Sequence, residues 1–275
     1  MGIVCKMKLI ELEKIMEQLK TDFIGQEIKY FAEATSTNDV AKELAAKGVK
    51  EGTIVLAETQ TQGRGRLGRR WLSPEGGIWL SVILRPKIPA KDFYQLTFMA
   101  AVAVAKTIRR MFKLNAEIKW PNDVLVNDRK VCGILTESSV RGDAVDFAVI
   151  GIGVNANVDL ASFPKDLRSS VTSLEAEVKG EVGRERFLCA LLKELENYYT
   201  MIQQKKFEFV LEEWKSLTTL FGAHVEVTSF EGKVRGLAVG VNRNGGLEVL
   251  LKNGTIRKVL SGDVVKQKQQ RRPLK

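Results

Sequence analysis

Apolar and polar positions along the chain follow two different rhythms, and the change from one to the other predicts two kinds of architecture. In residues 8–20 the side chains Leu9, Leu12, Ile15, Met16 and Leu19 recur at helical spacing, which predicts a short amphipathic helix before the first strand. Residues 27–34 read as a strand, and residues 38–47 as a helix that Ser36 or Thr37 can cap and Gly48 can close. Strands are expected over 53–59 and 78–84. A nearly continuous apolar stretch over 92–112 predicts a long helix buried against a sheet. Strands over 117–120, 123–126, 130–137 and 145–155 follow, with turns at Pro121-Asn122 and Asn127-Asp128, and then helices over 184–203 and 207–217. From His224 onward the segments HVEVTSF, VRGLAVGV, LEVLL and IRKVL alternate between turn signals at Glu231-Gly232, Asn244-Gly245-Gly246 and Asn253-Gly254, the pattern of a small all-β module. The expected class is α+β, with a helical extension over 1–26, a mixed-sheet domain over 27–220, a small β domain over 221–266 and a basic tail over 267–275.

The 275 residues give room for one large domain with an appendage, or for two domains. With 44% hydrophobic and 28% charged residues the composition is that of an ordinary globular protein, which excludes disordered and fibrous classes. The longest apolar run contains Lys106 and ends at Arg109 and Arg110, short of the ~18 residues of a membrane span. The N-terminus lacks the apolar core of a secretory signal, so a cytoplasmic location without a membrane partner is expected. Cys5, Cys132 and Cys189 are far apart and odd in number, which predicts reduced thiols rather than a disulfide framework. His224 is the single histidine, which argues against histidine-based catalysis and multi-histidine zinc sites and favours a plain strand residue. The net charge of +10 is concentrated: residues 266–275 carry five positive charges and residues 64–70 carry four, with no negative charge in either.

The second cluster belongs to Q-T-Q-G-R-G-R-L-G-R-R-W, residues 60–71, between two predicted strands. Gly63, Gly65 and Gly68 can take positive φ and bring backbone N–H groups to an anion. Arg64, Arg66 and Arg69 offer planar donors suited to phosphate or carboxylate. Three glycines and four like charges leave the loop little reason to pack alone, so it is expected to order around a ligand. A flexible surface loop or an arginine-glycine nucleic-acid contact is the alternative; neither the P-loop nor the dinucleotide pattern fits. The K-W-P-N-D segment puts Lys119 beside Trp120 at a strand end, where its charge can act on a negative transition state or be merely structural. Gly133, in DRKVCGILTE, and Gly151 and Gly153, in GIGVN, lie inside strands, where a missing side chain marks close approach of a ligand or close packing. Asn155 ends that last motif.

In order and spacing, S-T-N at residues 36–38, G-R-G-R-x-G-R-x-W at 63–71, K-W-P-N-D at 119–123 and G-I-G-x-N at 151–155 resemble the biotin protein ligases, or biotin–[acetyl-CoA-carboxylase] ligases, across residues 31–266. The resemblance implies a catalytic domain related to lipoate ligases, followed by an SH3-like barrel. It also implies a reaction in which biotin and Mg-ATP form biotinyl-5′-AMP, and biotin then passes to one lysine of a biotin carboxyl carrier protein or carboxylase subunit. Ser36, Thr37, Asn38 and Gln60 are then expected at or beside the biotin head, and Gly133, Gly151 and Gly153 beneath it. Gly63, Arg64, Gly65 and Arg66 should close over the carboxylate and α-phosphate. Lys119 is expected as the main catalytic residue, with Arg64 and Arg66, and Arg69, Trp71 and Asn155 on the ATP side. The Mg²⁺ ligands stay unassigned. Members that repress transcription carry an N-terminal winged helix-turn-helix, for which the one predicted helix is too little, so a ligase-only form without sequence-specific DNA binding is expected. Lys6-Met7-Lys8 inverts the acceptor Met-Lys-Met and is read as coincidence. A homodimer is compatible with the sequence. A lipoate or octanoate ligase and a non-enzymatic basic nucleic-acid-binding protein are the rival readings.

Overall fold

Seven strands form one mixed sheet, and the alternation of side chains along them determines what each face receives. A computed structural model describes residues 9–267. The order is α1 (Leu12–Gln18), β1 (Ile28–Ala34), α2 (Thr37–Ala46), β2 (Ile54–Gln60), β3 (Ile78–Leu84), α3 (Tyr94–Phe112), β4 (Ala116–Lys119), β5 (Asp123–Val126), β6 (Arg129–Arg141), β7 (Ala144–Val154), α4 (Leu174–Val178), α5 (Arg184–Gln203) and α6 (Phe207–Ser216). The sheet runs β1-β2-β3-β7-β6-β5-β4. Only β1 and β2 are parallel, joined by the α2 crossover. The C-terminal strands β8 (His224–Ser229), β9 (Gly232–Val241), β10 (Leu247–Leu250), β11 (Ile256–Val259) and β12 (Asp263–Lys266) form a five-stranded antiparallel sheet in the order β11-β10-β9-β8-β12. The expected α+β class, with its small β module, is the observed one. The tail at 268–275 and the Lys6-Met7-Lys8 segment lie outside the described residues.

Most elements follow the sequence pattern, and the departures have local causes. The first helix is shorter than residues 8–20 because Ile10 is drawn into the core, where its N–H donates to Glu58 Oε1 at 2.6 Å. The β6–β7 hairpin runs on to residues 141 and 144, since Gly142 takes the positive φ of 60° that the turn requires. The long helix α3 is buried nearly all round, as its composition predicts, between the sheet and α5 and α6. Its Phe98 ring lies 4.9 Å from that of Trp214 on α6. Glu58 also accepts from Tyr30 Oη at 2.8 Å and Arg184 at 2.7 Å, so one buried carboxylate ties the N-terminal segment, β1 and α5 together.

Along β3, Ile78, Leu80, Val82 and Leu84 join the main core with α3, while Trp79, Ser81 and Ile83 face the other way. That second face is divided. At one end Ile83 packs with Val55, Val149 and α2, and at the other Trp79 packs with Val158 and Phe163. Between the two apolar clusters the sheet presents Ser81, Gly151 and Gly153. A gap between two apolar clusters, floored by serine and glycine, is where a polar ligand can enter.

Candidate active site

A cavity of about 390 Å³ occupies this gap, large enough for a small organic ligand. One wall is the start of α2. Ser36 stands at the N-cap position, but its side chain makes no cap bond. The Thr37 N–H instead donates to Gln60 Oε1 at 2.8 Å, which leaves the Ser36 side chain to the cavity wall. Gln60 Nε2 donates to Ser73 Oγ at 2.7 Å. Asn38 lies on Gly151, where an added Cβ would come 2.1 Å from Asn38 Oδ1. Its Nδ2 donates to Leu135 O at 3.2 Å and to Glu137 Oε2 at 2.8 Å. Gly151 is thus glycine because a side-chain amide needs the space.

The Gly/Arg loop closes the next wall, and it packs more than its composition suggests. Gly65 N–H donates to Arg69 O at 2.7 Å and Trp71 N–H to Gly63 O at 2.8 Å, folding the segment into a hairpin around a single 3₁₀ turn, Arg66–Gly68. Of the three glycines expected to take positive φ only Gly68 does, at 72°, and Leu67 accompanies it at 57°. Gly63 has a different reason: an added Cβ would lie 2.5 Å from Trp71 O, across the hairpin. Three of the arginines are held by partners. Arg64 reaches Asp39 Oδ1 at 2.5 Å and Glu137 Oε2 at 3.0 Å, Arg66 donates to Asn122 Oδ1 at 3.0 Å, and Arg69 pairs with Asp263 of the C-terminal sheet. Burial lowers the pKa of the Arg66 guanidinium, and the nearby carboxylates of Asp263 and Asp123 offset only part of this. For Glu137, burial pushes upward, but the hydrogen bonds from Asn38 and Lys42 and the charge of Arg64 outweigh it and hold the carboxyl below its ordinary value.

The far wall carries two lysines. Lys119 ends β4, in register with Asp123 across the Trp120-Pro121-Asn122 turn, and has no ion-pair partner among the described residues. Lys130 pairs with Asp123 Oδ1 at 2.7 Å, and its Nζ stands 4.9 Å from the Trp71 ring centroid. The indole itself covers Gly133 and Gly153, where an added Cβ would fall 2.8 Å and 2.5 Å from ring atoms. Trp71 Nε1 and Asn155 Oδ1 are two of the three buried side-chain polar atoms without a partner among the described residues, and both residues line this cavity. Buried polar groups are normally satisfied, so two orphans in one cavity point to a polar ligand. The C-terminal sheet reaches the same place: Trp120 Nε1 donates to Gly245 O at 2.9 Å, and Asp263 lines the cavity.

The first part of the chain, residues 30–155, matches the Biotin/lipoate A/B protein ligase family, and residues 220–267 match the Biotin protein ligase C terminal domain. The bifunctional ligase/repressor BirA of Bacillus subtilis is 38% identical over 258 residues, which is 94% of this chain and 79% of that protein. The biotin–[acetyl-CoA-carboxylase] ligase of Paracoccus denitrificans is 33% identical over 78% of this chain and 91% of its own length. The chain belongs to the biotin protein ligase family. Among solved structures, the biotin protein ligase from Aquifex aeolicus in complex with biotin and ATP superposes with a TM-score of 0.77 and 30% identity, covering 88% of this chain and all of that one.

In this ligase all but one of the residues singled out from the sequence line one cavity: Ser36, Thr37, Asn38, Gln60, Arg64, Gly65, Arg66, Arg69, Trp71, Lys119, Gly133, Gly151, Gly153 and Asn155. Gly63 lies behind it, in the hairpin. Gly133, Gly151 and Gly153, expected beneath a ligand ring, line the cavity and also make room for Trp71 and Asn38. The sequence reading overlooked Lys130, Ser81, Glu137 and the 163–171 segment that contributes Phe163 and Val171 to the rim. Two of these had a visible signal: Ser81 is the one polar residue in the strand IWLSVIL, and Lys130 stands three residues before Gly133. Glu137 and the 163–171 segment had none.

Proposed function

We propose that this ligase attaches biotin to one lysine of a biotin carboxyl carrier domain, using ATP and passing through biotinyl-5′-AMP. The observation that carries the reading is the convergence of four separate sequence segments on one cavity lined by arginines, two lysines and two buried polar atoms without a partner among the described residues. In the first step a biotin carboxylate oxygen bonds to the α-phosphorus and pyrophosphate leaves. In the second, the carrier lysine's amine bonds to the acyl carbon and AMP leaves. Neither step needs an enzyme nucleophile; the first needs two anions held in line, and the second a neutral amine held against the acyl carbon, its proton passing to solvent, while the charge on the phosphate is neutralised. Arg64 and Arg66 are assigned to the carboxylate and α-phosphate, and Arg69, Trp71 and Asn155 to the ATP side. Magnesium enters with ATP, bound through phosphate oxygens and water.

For the central cation the sequence points to Lys119. The geometry gives Lys130 an equal claim, because its ammonium stands over Trp71 at the cavity wall and is oriented by Asp123. Biotin rather than lipoate is favoured by the C-terminal domain and by the named activities of the relatives. Nucleic-acid contact through the loop is disfavoured because three of its four arginines, Arg64, Arg66 and Arg69, are occupied with Asp39, Glu137, Asn122 and Asp263. Mass spectrometry of a biotin carrier domain incubated with the enzyme, biotin and Mg-ATP is expected to show the added mass of one biotin on one lysine. An unmodified carrier, with active wild-type relatives run in parallel, refutes the proposal.

A further inference from the structure

Four charged side chains meet at the edge of the cavity, and of the four it is Arg64 that lines its wall. Asp39 and Lys42 stand three residues apart on one face of α2, Glu137 comes from β6 and Arg64 from the Gly/Arg loop. Lys42 Nζ lies 3.0 Å from Asp39 Oδ1 and 3.0 Å from Glu137 Oε1. Arg64 Nη2 lies 2.5 Å from the same Asp39 oxygen and 3.0 Å from Glu137 Oε2, with Oε1 at 3.2 Å. Two cations thus share two carboxylates, and the quartet as a whole is neutral. Glu137 is fixed from the protein side as well, since Asn38 Nδ2 donates to its Oε2 at 2.8 Å. Burial and the charge of Arg64 both work against the Lys42 ammonium, but its hydrogen bonds to Glu137 and Asp39 outweigh them and raise its pKa, so it keeps its charge at neutral pH.

The sharing matters because Arg64 faces two ways. All of its hydrogen bonds run through Nη2, so Nε and Nη1 have no partner among the described residues. Without Lys42, two carboxylates would hang on one guanidinium. They would leave a net negative charge beside the cavity, and any anion drawing Arg64 away would strip both of their only cation. With Lys42 present each carboxylate already has a cation of its own, so the guanidinium can turn toward an anion at little cost to the cluster. We infer that Lys42 is a positioning residue: by sharing Asp39 and Glu137 it keeps Arg64 only partly committed to them, and so available to an oxyanion of the substrate, a carboxylate or a phosphate. Asp39 acts in the opposite sense, as part of the hold that must be loosened.

The inference rests on the proposed biotin ligase reading, and its test separates the two. Tryptic cleavage after Arg64, located by mass spectrometry in the absence of ligand, reports how firmly the guanidinium is held. The KM values for biotin and for ATP in biotin-dependent pyrophosphate exchange report how well it serves the substrate: a change for biotin assigns the carboxylate, for ATP the phosphate, and for both an Arg64 that bridges them. In Lys42→Met both carboxylates fall to Arg64, so cleavage is expected to slow and KM to rise, each about two- to fivefold, the range of partly exposed ion pairs. Asp39→Asn should do the reverse, with faster cleavage and a KM about two- to fivefold lower, even though loss of an acid from the first turn of α2 lowers Tm slightly. A merely structural residue would loosen the loop and weaken the substrate together. A through-space effect of the altered charge is separated by repeating both substitutions in an Arg64→Met background, where KM should no longer respond to either. Unchanged KM values in Lys42→Met, faster cleavage accompanied by higher KM in either variant, or effects that persist without Arg64 overturn the inference. A wild-type enzyme that shows no biotin-dependent exchange refutes the proposed function instead.

Discussion

Gly153→Ala adds one methyl group at the centre of the active site, and the structure fixes what that methyl meets. Its Cβ would stand 2.5 Å from Trp71 Nε1, 2.8 Å from Cε2 and 3.1 Å from Cζ2. Ordinary non-bonded carbon contacts lie at about 3.5–4.0 Å, so the indole must rise by roughly 1 Å. It has little freedom to do so, since Gly133 lies under the same ring and the Lys130 ammonium stands 4.9 Å from its centroid. Overpacking of this kind costs about 1–3 kcal/mol of stability, seen as a drop of a few degrees in Tm. A displacement near 1 Å in a positioning group is expected to slow adenylate formation about 100-fold. Biotin-dependent exchange of labelled pyrophosphate into ATP reads that step without the carrier. The double variant Gly153→Ala with Trp71→Phe is the internal check, because the smaller ring gives the methyl room. The two changes should couple by about 1 kcal/mol or more in the rescuing direction. Wild-type exchange by Gly153→Ala, or strictly additive penalties in the double variant, would show that the contact between Gly153 and Trp71 does not shape the site.

Lys119→Ala and Lys130→Ala are each expected to fold, and loss of the central cation should slow adenylate formation on the order of 10²–10³-fold; the variant that keeps normal exchange identifies the lysine without that role. Cleavage by trypsin within residues 63–71 should slow when biotin and ATP are added, as ligand phosphate joins Asp39, Glu137 and Asp263 in holding the arginines; equal cleavage with and without ligand contradicts this. The depressed pKa of Glu137 gives the loop anchor a pH dependence with a definite sign: its contribution is complete above the ordinary value of 4.5 and is lost as pH falls below it through the folded-state value. Loop protection measured by proteolysis or hydrogen exchange should accordingly weaken in acid, and Glu137→Gln should remove Glu137's part of that dependence while Asp39 and Asp263 still hold Arg64 and Arg69. Deleting residues 266–275, which hold five of the positive charges, should abolish most salt-dependent binding to duplex DNA while biotinylation persists; a strong preference for one duplex sequence would reveal a regulatory role.

Local pattern alone was enough for most elements of this protein. The strand at Ile78–Leu84 and the helix at Arg184–Gln203 are where the sequence pattern puts them, the strand because its apolar run is buried on both faces and the helix because its apolar side chains recur at helical spacing. The glycine turns of the C-terminal sheet were legible for a similar reason: Gly232, Gly245 and Gly254 take positive φ, a constraint that sits on a single residue. The ordered motifs were likewise enough to name the ligase family and part of the cavity's lining. Nothing in the sequence indicated that Gly151 makes room for Asn38, that Gly133 and Gly153 carry Trp71, or that Arg69 meets a carboxylate 194 residues further on. These are contacts across strands and between sheets, and their partners are set by register and packing rather than by neighbours along the chain. The same is true of Lys42, which comes to share Asp39 and Glu137 with Arg64 only when α2, β6 and the loop are brought together. Residue types announce the chemistry a site can perform, and tertiary structure settles which donor faces which acceptor.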